Sequence, residues 1–235
     1  MSGQALAVQV KVCGISEPEH ALIALEEGAD MIGLVFATSP RRVSVEQAKS
    51  VADAVREADP DRKLQIVGLF VNETAEHMNQ VAREVGLDRI QLSGDEPAQI
   101  VNKLLYPAIG SIRADASNWN AAVRRLQDWL FISPWAVHMD THVPGIYGGT
   151  GTVGDWGIAE QFARRYRLIL AGGLTPENVG NAITKVKPFA VDVSSGVETD
   201  GAKDPDKIRE FIRTAKATTF EEPESAYMQM IGRQL

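Results

Sequence analysis

The sequence predicts an α/β protein that folds as one (β/α)8 barrel, and three observations support this prediction. Short apolar runs rich in β-branched residues alternate with longer amphipathic segments, which is typical of parallel strands joined by right-handed helical crossovers. Eight such strand–helix units fit within the 235 residues, as a small barrel requires. The first strand ends in Cys13-Gly14-Ile15 and not in a Gly-x-Gly-x-x-Gly turn, which argues against a doubly wound dinucleotide-binding sheet.

Each element is predicted from a local pattern of residues. The first helix carries Ala21, Leu22 and Leu25 at helical spacing and stops at Gly28, and Ser44 is a suitable N-cap for the second helix. The strands are predicted at residues 7–13, 31–36, 64–70, 88–92, 108–113, 135–140, 168–171 and 189–193. The helices are predicted at residues 18–27, 45–55, 75–85, 97–105, 119–126, 176–185 and 205–215, and the helix before the seventh strand is left without bounds.

Composition and charge exclude several classes of protein. Lys plus Arg number 24 and Asp plus Glu number 31, for a formal net charge of -7, which argues against a nucleic-acid partner. The single cysteine excludes an internal disulfide framework and a cysteine-clustered metal site. No apolar run approaches the ~20 residues that span a bilayer, and the first residues do not resemble a secretory signal. We therefore expect a soluble, cytoplasmic protein without a membrane partner.

The chain is expected to form a single domain with a short C-terminal tail. No linker-like stretch divides it, so one catalytic barrel domain is predicted over residues 1–216. Residues 217–235, rich in Glu, Thr and Gln, follow the eighth unit. Because chain ends are ordered only where other residues hold them, this tail is expected to be frayed or loosely docked.

Two glycine-rich loops are candidates for a phosphate site. In a (β/α)8 barrel the active site lies at the carboxyl ends of the strands, and here Gly172-Gly173 follows the seventh strand and Ser194-Ser195-Gly196 the eighth. Backbone N–H groups in such loops, together with a following helix N-terminus, bind phosphate. The glycines could instead only permit tight turns, but two such loops at these positions favour the phosphate site.

Cys13 and Asp140 are the acid/base candidates, since they end the first and sixth strands. A thiolate is a competent general base where its surroundings favour ionisation, although a lone cysteine is also a common small core residue. Asp140 could equally be a structural carboxylate. His138 stands two residues before Asp140, so strand alternation directs both side chains into the barrel. No spacing of His or carboxylate residues indicates a metal site.

Motifs along the chain resemble those of the phosphoribosylanthranilate isomerase family. In family order, from about Val10 to Ala215, the matching segments are Lys11-Val12-Cys13-Gly14-Ile15, Gly33-Leu34-Val35-Phe36 with Ser39-Pro40-Arg41, Gly68-Leu69-Phe70-Val71-Asn72, Gln91-Leu92-x-Gly94-Asp95-Glu96, Asp140-Thr141 with Tyr147-Gly148-Gly149-Thr150-Gly151, Gly172-Gly173-Leu174-x-Pro176-Glu177-Asn178-Val179, and Val191-Asp192-Val193-Ser194-Ser195-Gly196-Val197-Glu198. The last segment is the most specific, and so many ordered matches exclude coincidence.

The resemblance implies a TIM-barrel enzyme of tryptophan biosynthesis that acts without a cofactor on a small phosphorylated substrate. By an Amadori rearrangement it would convert N-(5-phosphoribosyl)anthranilate, an aminoaldose, into 1-(2-carboxyphenylamino)-1-deoxyribulose 5-phosphate, an aminoketose. Cys13 would be the general base, Asp140 the general acid, and Arg41 the partner of the anthranilate carboxylate. The implied substrate-binding residues are Arg41, Gln91, Ser93, Gly149, Gly172, Gly173, Ser194, Ser195 and Gly196.

Two positions depart from the family pattern. The family usually has a histidine where this chain has Ser93, and an apolar residue two before the catalytic aspartate where this chain has His138. Strands four and six are both even-numbered and contribute side chains to shared layers of a barrel. Two hypotheses stay open: His138 partly replaces the missing imidazole, or Ser93 relaxes substrate recognition.

Two other functions are open on sequence grounds. A related phosphosugar isomerase, acting on the histidine-pathway aminoaldose, would use two aspartates as its acid/base pair, and Cys13 argues against it. A non-catalytic homologue that binds a phosphorylated ligand would fit the change at Ser93 but not the intact Cys13, Arg41 and Asp140. Monomers and homodimers both occur in the family, so either state is expected.

Overall fold

Eight parallel strands form a closed barrel in the computed structural model, which describes residues 5–113, 119–140 and 156–221. The strands are β1 (Gln9–Cys13), β2 (Met31–Val35), β3 (Gln65–Phe70), β4 (Arg89–Leu92), β5 (Ala108–Arg113), β6 (Ala136–Asp140), β7 (Leu168–Ala171) and β8 (Ala190–Val193). Each strand pairs with the next in the chain, and β8 pairs with β1. The predicted (β/α)8 barrel is confirmed.

The barrel interior is apolar at one end and polar at the other. At the end where the strands begin it is filled by the buried side chains of Met31, Val67, Ile109, Ala136, Ile169 and Ala190. Two residues further along the strands the inward positions include the buried polar side chains of Lys11, Gln91, His138 and Asp192. Polar chemistry is therefore placed above a packed apolar base.

Seven α-helices of the described residues surround the barrel. They are α1 (Pro18–Glu26), α2 (Val45–Ala58), α3 (Ala75–Val85), α4 (Trp119–Ile132), α5 (Trp156–Ala163), α6 (Val179–Val186) and α7 (Pro205–Ala217). None of the helices in these ranges is long and apolar enough to cross a membrane.

The connection between β4 and β5 differs from the prediction. It is a 3₁₀ helix, Ala98–Lys103, so the α-helix predicted at residues 97–105 is wrong in type. Pro97 and Pro107 bracket this segment. Because proline cannot donate a backbone hydrogen bond and disfavours the α conformation in the residue before it, the segment has room only for a short, tighter helix.

Helix α4 ends at Ile132, beyond the predicted end at residue 126. The buried Leu126 and Trp129 continue one face of the helix past that point. Trp129 packs on Gly110 of β5, where a Cβ atom would lie 2.5 Å from the indole ring. Packing of the indole against the barrel therefore extends a helix whose aromatic and β-branched end is a poor helix former by itself.

The two ends of the described chain pair with each other. Ala5–Ala7 and Thr219–Glu221 form a two-stranded antiparallel sheet in which Leu6 is the register partner of Phe220. The first residues of the predicted tail are thus fastened to the N-terminal segment. Residues 222–235 lie outside the described residues, so the domain limit at residue 216 and the loose docking of the tail stay predictions.

The N-terminus of α2 is closed by a capping box. Ser44 Oγ accepts a hydrogen bond from Gln47 N (3.2 Å), and Gln47 Oε1 accepts one from Ser44 N (2.9 Å). The predicted N-cap is confirmed.

We expect Ser44→Ala to lower the free energy of unfolding by about 1 kcal/mol, because it leaves an N–H group of the first turn without its partner. Urea denaturation measures the change. Ser50→Ala, on an exposed position inside the same helix, is the matched control and should cause no loss, since alanine favours helix interiors. Equal losses in both variants would contradict a specific capping role.

Candidate active site

A cavity of about 430 Å³ opens at the carboxyl ends of the barrel strands. Its lining includes Cys13, Arg41, Gln91, Ser93, Asp140, Gly172, Gly173, Ser194, Ser195 and Gly196, all of them site residues predicted from the sequence. Gly149, the remaining predicted residue, lies outside the described residues. The fold thus brings together, at one opening, side chains from distant parts of the chain. Among the described residues, no cluster of three His, Cys, Asp or Glu is placed to hold a metal ion.

The loop after β7 turns at two successive glycines. Gly172 and Gly173 have φ values of 96° and 66°. Asn178 closes the turn, since its side-chain nitrogen donates to Gly173 O (2.9 Å) and its Oδ1 accepts from Thr175 N (2.9 Å). Helix α6 begins at the next residue, Val179. The partial positive charge of that helix N-terminus favours an anion near this loop.

The loop after β8 packs closely on the loop after β7. A Cβ atom at Gly196 would lie 1.9 Å from Leu174 O, so only glycine fits at this position. Ser195–Val197 form a single 3₁₀ turn. Lys203 Nζ donates a hydrogen bond to Ser194 O (2.9 Å) and fastens the start of the loop. The two loops therefore form one firmly held wall of the cavity.

Arg41 is fixed at the cavity by a carboxylate that the sequence did not indicate. Glu198 Oε1 accepts hydrogen bonds from Arg41 Nε (2.6 Å) and Lys203 Nζ (2.7 Å), and Glu198 Oε2 accepts one from Arg41 Nη2 (2.7 Å). Burial would raise the pKa of Glu198, but the hydrogen bonds from Arg41 and Lys203 lower it below its usual range. One edge of the Arg41 guanidinium is thus bound to Glu198, and its Nη1 donates to no described residue.

A lysine and an aspartate are buried in the barrel centre beside Cys13. Lys11 Nζ donates to Asp192 Oδ2 at 2.9 Å, and the two side chains are 0% and 6% exposed. The two residues are direct register partners in the pairing of β1 with β8. Cys13, which is also buried, is the next inward residue of β1 after Lys11.

These charges act on the Cys13 thiol in opposite directions. Burial raises the pKa of the thiol and Asp192 raises it further, whereas Lys11 and Lys203 lower it, and the net pKa is above its usual range. Burial would raise the pKa of Asp192, but Lys11 and His138 lower it, so this carboxyl is ionised. Burial would lower the pKa of Lys11, but Asp192 and Cys13 raise it, so this amine is protonated. The protonated Lys11 therefore offsets part of the rise in the thiol pKa that burial and Asp192 cause.

His138 points into the barrel, as its strand position predicts, and contacts Asp192. Its Nε2 lies 2.9 Å from Asp192 Oδ2. Ser93 belongs to a different cluster on β4 and β5, since its Oγ accepts from Gln91 Nε2 (3.1 Å) and lies 3.2 Å from Ser111 Oγ. The two positions that depart from the family pattern therefore belong to separate hydrogen-bonded groups.

Comparison with known proteins decides the family. The model of the family described as N-(5'-phosphoribosyl)anthranilate (PRA) isomerase matches residues 10–214. The N-(5'-phosphoribosyl)anthranilate isomerase of Roseiflexus castenholzii is 49% identical over 214 residues, which cover 88% of this chain and 98% of the relative. This chain belongs to the PRA isomerase family.

Two solved structures of PRA isomerases have the same fold. The structure of the Thermotoga maritima protein has a TM-score of 0.77 and 40% identity, and the match covers 89% of this chain and 98% of that one. The second structure, a complex with reduced 1-(o-carboxyphenylamino)-1-deoxyribulose 5-phosphate, has a TM-score of 0.73 and 37% identity, with the same shares covered. The family assignment therefore agrees with the fold as well as with the sequence.

The PRA isomerase site also contains side chains that were not among the predicted site residues. Lys11 and Asp192 each stand two residues before a predicted one, so the strand alternation applied to His138 would have placed them in the barrel as well. Glu198 and Lys203 belong to a short hairpin after β8, Glu198–Thr199 with Ala202–Lys203. Because neither lies on a barrel strand, no periodic pattern directs them to Arg41.

We expect Glu198→Gln to lower the free energy of unfolding at neutral pH by about 2 kcal/mol, because it removes the carboxylate that pairs with the buried Lys203. The folded-state pKa of Glu198 is lowered, so its stabilisation is present above the unfolded pKa and is lost as pH falls through the folded one. The difference from wild type should therefore shrink in acid.

Urea titrations at neutral and acidic pH measure this difference. Glu210→Gln, on an exposed position of α7, is the matched control and should leave stability close to wild type at both pH values. A loss in Glu198→Gln that is absent at neutral pH, or that stays constant into acid, would contradict the assigned ion pair.

Proposed function

We propose that this chain catalyses the conversion of N-(5-phosphoribosyl)anthranilate into 1-(2-carboxyphenylamino)-1-deoxyribulose 5-phosphate in tryptophan biosynthesis. The observation that carries the proposal is the cavity in which Cys13 and Asp140 share one opening with two glycine-rich loops, in a member of the PRA isomerase family. Proton transfer at two neighbouring atoms of a phosphorylated sugar requires these parts: an acid, a base and an anchor for the phosphate.

Asp140 is assigned as the general acid. It ends β6 and lines the cavity, three strands along the closed barrel from Cys13 on β1. In its protonated form the carboxyl donates a proton to the furanose ring oxygen. The bond between C1 and that oxygen then breaks, and the anilinic nitrogen lone pair forms the C=N bond of a cationic Schiff base.

Cys13 is assigned as the general base. The cationic Schiff base withdraws electrons from C2, so a thiolate of moderate basicity can remove the C2 proton. The electrons of the C–H bond form a C1=C2 double bond, and the C=N electrons return to nitrogen, which gives an enolamine. The enolamine takes a proton at C1 while its C2 hydroxyl loses a proton, and the electrons of that O–H bond form the ketone C=O at C2. Lys11, whose ammonium lowers the pKa of Cys13, supports the thiolate form.

The two anionic ends of the substrate are assigned to different parts of the site. The loops at Gly172–Gly173 and Ser194–Gly196 are proposed to bind the phosphate through backbone N–H groups. Arg41 is proposed to bind the anthranilate carboxylate through its Nη1 edge, while Glu198 keeps the opposite edge fixed. Gln91, Ser93 and Gly149 stay proposed substrate contacts.

We also make proposals about the cofactor, the cellular location and the partners of this reaction. An acid, a base and two anion sites suffice for the steps above, so we propose a cofactor-free reaction on a small phosphorylated substrate. We further propose that the enzyme acts in the cytoplasm, as a monomer or a homodimer, without a nucleic-acid or membrane partner.

The loss of substrate fluorescence tests the reaction and its acid/base pair together. We expect rapid turnover by the wild type and a fall in kcat of about 10²-fold or more in Cys13→Ser and in Asp140→Asn, because each change removes a proton-transfer group. Asp95→Asn is the matched control, since Asp95 is an exposed carboxylate that does not line the cavity.

Each outcome of this assay is informative when circular dichroism confirms that the proteins are folded. An inactive wild type would contradict the proposed function. Wild-type kinetics in Cys13→Ser or Asp140→Asn would contradict the role assigned to that residue and leave the function itself standing.

The assigned contact of Arg41 with the carboxylate gives a separate prediction. Arg41→Met should raise KM about tenfold or more with a smaller change in kcat, because it removes a charge-assisted hydrogen bond made in both the ground and transition states. Arg42→Met, at the exposed neighbouring position, should keep the wild-type KM. An unchanged KM in Arg41→Met would place the carboxylate elsewhere.

A further inference from the structure

We propose that His138 is a positioning residue that holds Asp192 and thereby leaves the Lys11 ammonium available to the Cys13 thiolate. The inference rests on the proposed function, in which Cys13 is the base. Its test measures the thiol directly and needs no substrate.

One carboxylate oxygen joins three strands of the barrel. Asp192 Oδ2, on β8, lies 2.9 Å from Lys11 Nζ on β1 and 2.9 Å from His138 Nε2 on β6. Because an ionised carboxylate can only accept hydrogen bonds, His138 Nε2 carries the hydrogen of this contact. The negative charge of Asp192 is therefore shared between two donors, and Lys11 does not have to compensate it alone.

The ammonium and the thiol occupy the same small space above β2. A Cβ atom at Gly33 would lie 2.7 Å from Cys13 Sγ and 3.2 Å from Lys11 Nζ. Both groups thus fill the volume that a side chain at position 33 would take. This places Lys11 between Asp192 on one side and Cys13 on the other. Its ammonium interacts more strongly with whichever of these two negative groups has fewer other donors near it.

Removing the hydrogen-bond donor of His138 changes how strongly Lys11 interacts with Asp192 and with Cys13. The charged or titratable groups that share the cavity of Cys13 or act on its charge are, among the described residues, Lys11, Arg41, Arg113, His138, Asp140, Asp192 and Lys203. Without His138, Asp192 keeps Lys11 as its remaining close donor and draws the ammonium toward itself. The less compensated carboxylate also repels a thiolate more strongly. Both effects raise the pKa of Cys13.

Alkylation of Cys13 by iodoacetamide, measured against pH by mass spectrometry, tests this chain of contacts. The reagent is uncharged, only the thiolate reacts at an appreciable rate, and Cys13 is the single cysteine of the protein. Three substitutions at position 138 distinguish the effect of the hydrogen-bond donor from the effect of side-chain packing. Gln in place of His138 carries an amide nitrogen near the position of Nε2 and can donate to Asp192. Asn is too short to reach it, and Leu has no donor.

We expect His138→Leu and His138→Asn to shift the midpoint of alkylation upward by about half a pH unit or more, which slows the reaction about threefold or more below the midpoint. His138→Gln should keep a midpoint close to wild type. Ile169→Val is the control for packing alone, since Ile169 is the register partner of His138 on β7 and belongs to the apolar base of the barrel. It should also keep the wild-type midpoint.

An unchanged midpoint in the Leu and Asn variants would overturn the proposal, and so would a Gln variant that behaves like the Asn variant. If His138→Leu fails to fold, the polar Gln and Asn variants still make the comparison. Turnover is measured separately on the same wild-type preparation. An inactive wild type would refute the proposed function, whereas the alkylation series would still decide the role of His138.

Discussion

The barrel closes where β1 meets β8, and a buried ion pair lies on that seam. Lys11 and Asp192 are register partners of the two strands and are joined by a hydrogen bond of 2.9 Å. Removing two charges from water is costly, and their attraction offsets the cost only where the geometry is good and the other polar groups nearby find partners. A shift of one residue between the strands would separate the two charges and turn one of them outward. The pair therefore constrains the register at which the barrel closes and the electrostatics beside Cys13.

The groups proposed to transfer protons and the groups proposed to bind anions lie on different elements of the fold. Groups proposed to transfer protons stand on strands, Cys13 on β1 and Asp140 on β6, above the apolar base that packs the other end of the barrel. Groups proposed to bind anions stand on loops, which are fastened by hydrogen bonds from Asn178 and from Lys203. Strands fix the distance between acid and base closely, whereas loops tolerate substitutions that adjust the ligand. This arrangement of strands and loops suits a reaction in which protons move between neighbouring atoms of a large anionic substrate.

The sequence predicted most of this architecture, and its failures have physical causes. Apolar runs and glycine stops located all eight strands, and strand alternation placed His138 in the barrel interior. The segment at Ala98–Lys103 was misjudged because two prolines bracket an otherwise helical pattern. The contact of Arg41 with Glu198 joins residues 157 positions apart through an irregular hairpin, so only the folded chain brings them together. Cys13 and Asp140 were placed at one opening by the barrel rule, but their chemical roles follow from the family resemblance and stay proposals.

The central proposal is that the ion pair of Lys11 and Asp192 constrains the register at which the barrel closes and also sets the pKa of the proposed base, Cys13. Its most direct test is the pH profile of kcat/KM in the double variant Lys11→Met with Asp192→Leu, which replaces the ion pair by apolar side chains and keeps the barrel filled. The account predicts a folded, cooperative barrel whose acid limb moves to higher pH by about half a unit or more, because the loss of the Lys11 ammonium, which lowers the pKa of Cys13, outweighs the loss of the Asp192 carboxylate, which raises it. A folded double variant with the wild-type pH profile would contradict the account, since the ion pair would then serve the closure of the barrel alone.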